Sequence, residues 1–129
     1  MNKFLITAIT ALTLTVSSVA LAQDTAKAPT PAYMIGSYDI RDEASFQKYI
    51  EAAAPLVRQY GGRVIVYNPG AKPIVEGEPR SVIAIAEFPS LAEAERYYNS
   101  PEYTAARKFF TDSTEGWRII TEGADLPQQ

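Results

Sequence analysis

Arg63 and Glu87, with Tyr67 and Trp117 between strand ends, are the residues whose types and spacing could do chemistry. An arginine facing a carboxylate can orient a polar group on a small molecule. A carboxylate such as Glu87 in an apolar cavity acquires a raised pKa and can act as a general base. Tyr67 and Trp117 would then wall a pocket for an apolar or aromatic ligand. The alternative is that Arg63–Glu87 is a rim ion pair worth little, and that the tyrosines fill core and interface with their hydroxyls near the surface.

Other chemistries are closed. The chain has no His and no Cys. Ser-His and Cys-His nucleophilic catalysis go with them, as do zinc sites built on soft ligands and haem ligation through His or Cys. No metal and no cofactor is expected. Gly61-Gly62 follows a helix and precedes a strand, the reverse of a phosphate loop, and reads as a helix stop. What remains is Asp, Glu, Arg, Lys, Trp and eight tyrosines.

These residues need a scaffold, and the pattern supplies one. Ala32–Ile40 alternates β-formers and is expected to be a strand. Asp42 can cap a helix from Glu43 to about Tyr60, whose apolar residues Phe46, Tyr49, Ile50, Ala53, Val57 and Tyr60 share one face. Pro55 inside it should kink it. Arg63–Asn68 and Ser81–Phe88 are β-rich. Ser90-Leu91-Ala92-Glu93 is a capping box. That helix pauses near Asn99, restarts at Ser100-Pro101-Glu102 and runs to about Phe110. Gly116–Glu122 is the last strand. The order β-α-β-β-α-β is the ferredoxin-like plan of an α+β fold: a four-stranded antiparallel sheet with two helices on one face.

Such a sheet leaves a face bare. Val64 and Val66, with Val82, Ala84, Ala86 and Phe88, are expected to face the helices. An antiparallel hairpin with Asn68 near Val82 sets Arg63 opposite Glu87, Ile65 opposite Ile85 and Tyr67 opposite Ile83 on the bare face. Ile65, Ile83, Ile85 and Tyr67 are too apolar a block for water. A second copy packed sheet to sheet about a twofold axis is the simplest cover, closing a barrel-like homodimer with a cavity between sheet and helices.

The start of the chain is a different kind of segment. Lys3 precedes the uncharged, apolar or small run Phe4–Val19, and Ala20-Leu21-Ala22 has the small-x-small pattern of a cleavage site. Residues 1–22 are expected to be a bacterial Sec-type signal peptide, cleaved after Ala22, which places the protein in the periplasm or the medium. Its six Thr and Ser residues make it a poor membrane span. Cleavage removes 22 of the 129 residues and leaves 107, with a net charge of −4 against −3 for the full chain. This acidic chain without a basic run is expected to bind neither nucleic acid nor, after cleavage, membrane. Residues 23–31 read as a flexible linker, 32–123 as the domain and 124–129 as a polar tail.

Several short patterns occur in order: Ala32-Tyr33, Tyr60-Gly61-Gly62-Arg63, Val75-Glu76-Gly77, Glu87-Phe88-Pro89-Ser90, Tyr98-Asn99-Ser100-Pro101-Glu102-Tyr103 and Glu122-Gly123. Together they resemble domain-of-unknown-function family 1330, across nearly all of 32–123. The resemblance implies the dimeric α+β barrel superfamily, which spans cofactor-free oxygenases, haem-binding enzymes, isomerases and binding proteins, and so implies no single reaction. The chain departs from the family after the second helix: the resemblance implies an Arg where it reads Phe110-Thr111-Asp112. Three functions remain open: an exported homodimeric small-molecule-binding module, a cofactor-free oxygenase or isomerase using Glu87, Arg63 and a Tyr, or a purely structural dimer or interaction protein.

Overall fold

In the computed structural model, which describes residues 27–70, 76–78 and 80–125, the elements are β1 (Ala32–Ile40), α1 (Glu43–Gln59), β2 (Arg63–Pro69), β3 (Val82–Phe88), α2 (Leu91–Asn99), α3 (Pro101–Ser113) and β4 (Thr114–Glu122). The four strands form one antiparallel sheet in the order β2-β3-β1-β4. This is the expected ferredoxin-like α+β plan, with the second helical segment broken into α2 and α3. The expected leader 1–22 and linker residues 23–26 lie outside the described residues. No helix among the described residues is long and apolar enough to cross a membrane.

Local chemistry sets the boundaries. Asp42 caps α1: one carboxylate oxygen accepts the Ser45 N–H at 3.2 Å, the other the Ser45 hydroxyl at 2.8 Å. These bonds hold its carboxyl below the usual carboxylate range. α1 passes through Pro55 as one helix and stops at Gly61, whose φ of 73° suits glycine. Ser90 accepts the Glu93 N–H at 3.3 Å to open α2. Ser100 serves two helices at once. Its hydroxyl donates to the Tyr97 carbonyl at 2.8 Å, ending α2, and accepts the Tyr103 N–H at 3.1 Å, opening α3. α3 continues to Ser113, three residues past the expected end, and β4 begins at Thr114.

The helices cover one face of the sheet. Val82, Ala86 and Phe88 of β3 and Met34 and Tyr38 of β1 pack there against Phe46, Tyr49, Ala53 and Val57 of α1 and Tyr97, Tyr103 and Ala106 of α2 and α3. The other face is bare, and register decides what it carries. Arg63 pairs with Glu87 as expected, and Val64 with Ala86. Then Ile65 forms a β-bulge, and Val66 takes the place opposite Ile85. The expected hairpin alignment fails past this point: Asn68 pairs with Ile83 and Pro69 with Val82, and Ile65 does not face Ile85. Two face assignments change with it. Val66 lies on the bare face, not under the helices. Tyr67 pairs with Ala84, not Ile83, and so lies on the helix-covered face. Ile65 is the extra residue, 42% exposed, with no partner across the ladder. One inserted residue reverses the faces of everything after it.

Candidate functional site

A row across the middle of the covered face builds the site. Register aligns Arg118 of β4, Gly36 of β1, Ala84 of β3 and Tyr67 of β2. The two central positions carry almost no side chain, so the sheet has a trough under α1. A Cβ at Gly36 would meet the Tyr38 ring at 3.2 Å and Arg118 Nε at 3.6 Å. α1 roofs the trough with Ala53 and Ala54, small residues again. The result is an inner cavity of about 90 Å³, reached by Tyr67 and Val64 from one side and by Arg118 from the other.

Arg118 is enclosed by rings. Its guanidinium carbon lies 3.6 Å from the Phe110 ring centre, 5.3 Å from that of Tyr49 and 5.9 Å from that of Tyr38. Its Nη1 donates to the Tyr103 hydroxyl, which lies 3.5 Å from the Tyr49 hydroxyl. Among the described residues no carboxylate lies within ion-pair distance of Arg118. Burial pushes the phenols of Tyr38, Tyr97 and Tyr103 well above the ordinary value. These tyrosines are neutral at physiological pH and do not serve as bases. Burial works against the charge of Arg118, but the facing phenols of Tyr49, Tyr103 and Tyr38 outweigh it and hold its pKa above the usual value. Tyr97 is fully buried, and its hydroxyl has no hydrogen-bond partner among the described residues. It too lines the inner cavity.

Arg118 also forms part of a second, larger space. A groove of about 440 Å³ wraps the free edge of β4, walled by Tyr98, Arg107, Phe110, Trp117, Arg118 and Ile119 among others. Trp117 and Ile119 are on the bare face of the sheet, 51% and 48% exposed. Arg107 of α3 lies with its guanidinium carbon 4.3 Å over the Tyr98 ring, again without a carboxylate partner among the described residues.

The four residues singled out from the sequence are not brought together. Arg63 and Glu87 form an ion pair, Nη2 to Oε1 at 2.8 Å and Nε to the same oxygen at 2.9 Å. The pair sits at one corner of the bare face. Trp117 is on the same face, two strand spacings and four residues from Glu87, about 16 Å away. Tyr67 is on the other face, at the inner cavity, where burial and then Glu43 raise its phenol. Ile83 and Ile85 lie on the bare face, Ile85 in register with Ile35, Ile119 and Val66, and Ile83 in register with Ser37, Trp117 and Asn68. Sequence reasoning missed Arg118. One signal was available: Gly36 interrupts the covered set Ala32, Met34 and Tyr38, and a glycine there marks a close approach by something.

Comparisons with known proteins agree with this geometry at the level of fold. The sequence model of DUF1330, a domain of unknown function, matches residues 31–124. No curated protein matches. A protein of unknown function from Rhodopseudomonas palustris superposes with a TM-score of 0.63 at 18% identity, over 75% of this chain and 85% of that one. A dimeric protein of unknown function with a ferredoxin-like fold from Bacteroides fragilis gives 0.50 at 19%, over 72% and 96%. The cofactor-independent oxygenase SnoaB from Streptomyces nogalater gives 0.53 at 12%, over 77% and 99%.

Proposed function

This chain belongs to the DUF1330 family, named for a domain of unknown function, and from its own site we propose that it is an exported, homodimeric module that binds a small apolar or aromatic molecule. The observation that carries the reading is the β4-edge groove. At about 440 Å³ it is of ligand size, and Tyr98, Phe110, Trp117, Ile119 and Ile120 make it mostly aromatic and aliphatic, with few polar groups to orient a guest.

Two features support the dimer. The bare face presents Ile35, Ile83, Ile85, Val66, Trp117 and Ile119 together, an apolar expanse that calls for a cover. The Bacteroides protein of the same fold is dimeric. The Sec-type pattern of residues 1–22 supports export to the periplasm or medium.

One preparation tests all three parts. The full chain is expressed with its leader, purified from the periplasm and examined by native mass spectrometry. The expected species starts at Gln23, has twice the mature mass and carries added small-molecule mass. Ile85→Asp, which puts a charge at the centre of the bare face, should give a monomer. A wild-type monomer would sink the dimer. An empty dimer that also binds no aromatic probe would sink the binding module.

The second reading is a cofactor-free oxygenase or isomerase. Its support is the ring of neutral phenols around one guanidinium, an array suited to a developing enolate or phenolate oxygen. The fold shared with the Streptomyces oxygenase is compatible with it. Oxygen uptake with a dihydroxynaphthalene, lost in Arg118→Gln, would favour this reading over simple binding.

A further inference from the structure

Resting on the binding reading above, we infer that the groove is specific for an organic anion: a carboxylic acid with a flat apolar body. The anionic head sits between Arg118 and Arg107, and the body lies against Trp117 and Phe110. Two guanidinium groups line this one groove, and neither has a carboxylate partner among the described residues. The chain is acidic overall, with 15 Asp and Glu against 12 Lys and Arg. Carboxylates are therefore plentiful, and Arg41, Arg63, Arg80 and Arg96 have each found one. Of the three that have not, Arg58 is exposed to water on α1, and the two that are partly buried are the two in the groove.

Their immediate surroundings fit an anion. Arg118 spends one N–H on the Tyr103 hydroxyl, and Phe110 covers one face of its plane. The remaining N–H donors lie at the edge of the plane, where a carboxylate accepts two at once. Arg107 is likewise held by a ring, that of Tyr98, so its charge is positioned rather than free to swing in water. Tyr98 and Phe110 thereby fix both cations from the groove walls. A neutral ligand would leave two partly buried cations uncompensated, and an ammonium ligand would be repelled by both.

The probes are 2-naphthoate, 2-naphthamide and 2-naphthylmethylammonium, titrated into the mature protein by calorimetry. Trp117 is the chain's single tryptophan, and its fluorescence reports whether a probe enters this groove. The expected result is that naphthoate binds at least roughly tenfold tighter than naphthamide. The ammonium probe should be weakest, and the preference should shrink as salt rises. Arg118→Gln should abolish the preference for acid over amide, and Arg107→Gln should reduce it. If Arg118→Gln does not fold, Arg107→Gln and the acid-to-amide ratio of the wild type carry the test.

Equal binding of acid and amide would overturn the anion inference and leave the binding module standing. Acid binding without any Trp117 response would also overturn it, because the anion site would lie elsewhere. Failure of all three probes would overturn both readings together.

Discussion

Tyr97 offers a sharp test of how the inner cavity is built, because replacing it with Phe removes one atom and leaves the ring. The ring is packed on three sides, with centres 4.2 Å from Tyr103, 5.1 Å from Phe88 and 6.0 Å from Tyr60. Those contacts survive the substitution. The hydroxyl is fully buried, and among the described residues no group lies within hydrogen-bond distance of it, so folding strips it of water with little in return. That desolvation penalty is about 1–3 kcal/mol. Tyr97→Phe should therefore be more stable than the wild type by about that amount. For a domain of this size each kcal/mol raises Tm by about 4–8 °C. The neighbouring Tyr103→Phe should go the other way. Its hydroxyl accepts from Arg118, and losing a hydrogen bond to a charged group costs about 1.5–3 kcal/mol. Urea unfolding followed by circular dichroism, with m-values checked for constancy, measures both. A Tyr97→Phe protein less stable than the wild type by 1 kcal/mol or more, a margin above the usual error, would refute the reasoning. The hydroxyl would then be hydrogen-bonded in solution.

Other expectations follow from the same geometry. Gly116→Ala should be severely destabilised, by roughly 3 kcal/mol or more, since its φ is 152° and an added Cβ would collide with the Ser37 carbonyl oxygen and the Tyr38 backbone; a Tm within 2 °C of wild type would contradict the β1–β4 approach. Ser100→Ala should lose about 1–2 kcal/mol, because one hydroxyl closes α2 and opens α3; thermal melts decide it. Alkaline titration at 295 nm should leave Tyr38, Tyr97 and Tyr103 silent while the fold persists. Their folded pKa values are raised, so the neutral phenols contribute stability in full below the unfolded value near 10, and that stability is lost as pH rises through the folded values. All eight tyrosines ionising near pH 10 with native circular dichroism would show the cluster to be solvated.

Most of the fold was legible because it rests on local signals. Asp42, Ser90 and Ser100 mark helix starts by side-chain chemistry, and β1 was bounded correctly at Ala32–Ile40 by its alternation. The Arg63–Glu87 pairing was legible from the hairpin alignment of β2 with β3, which holds at that end of the strands and is one residue off at Asn68. The bulge was not. Ile65 and Val66 are equally apolar, so no residue type in the run Arg63–Tyr67 marks which one leaves the ladder. Tyr67 was consequently assigned the wrong face, although it does reach a cavity. Arg118 was overlooked because a lone arginine in an apolar strand looks like a solvated residue. Only its register with Gly36 shows that it lies across the covered face.

The trough made by Gly36 and Ala84 bears on how this protein could diverge. Both lie on β1 and β3, the two inner strands, each paired on both sides. The size of the inner chamber is thus written into the stiffest part of the molecule and owes little to its loops. Two codons act as a coarse volume dial: a larger side chain at Ala84 fills the chamber, and one at Gly36 also presses on the Tyr38 ring. Such a scaffold can be repacked behind Arg118, which also borders the β4-edge groove, without remodelling a loop; Ala84→Val, which narrows the chamber, is the place to begin.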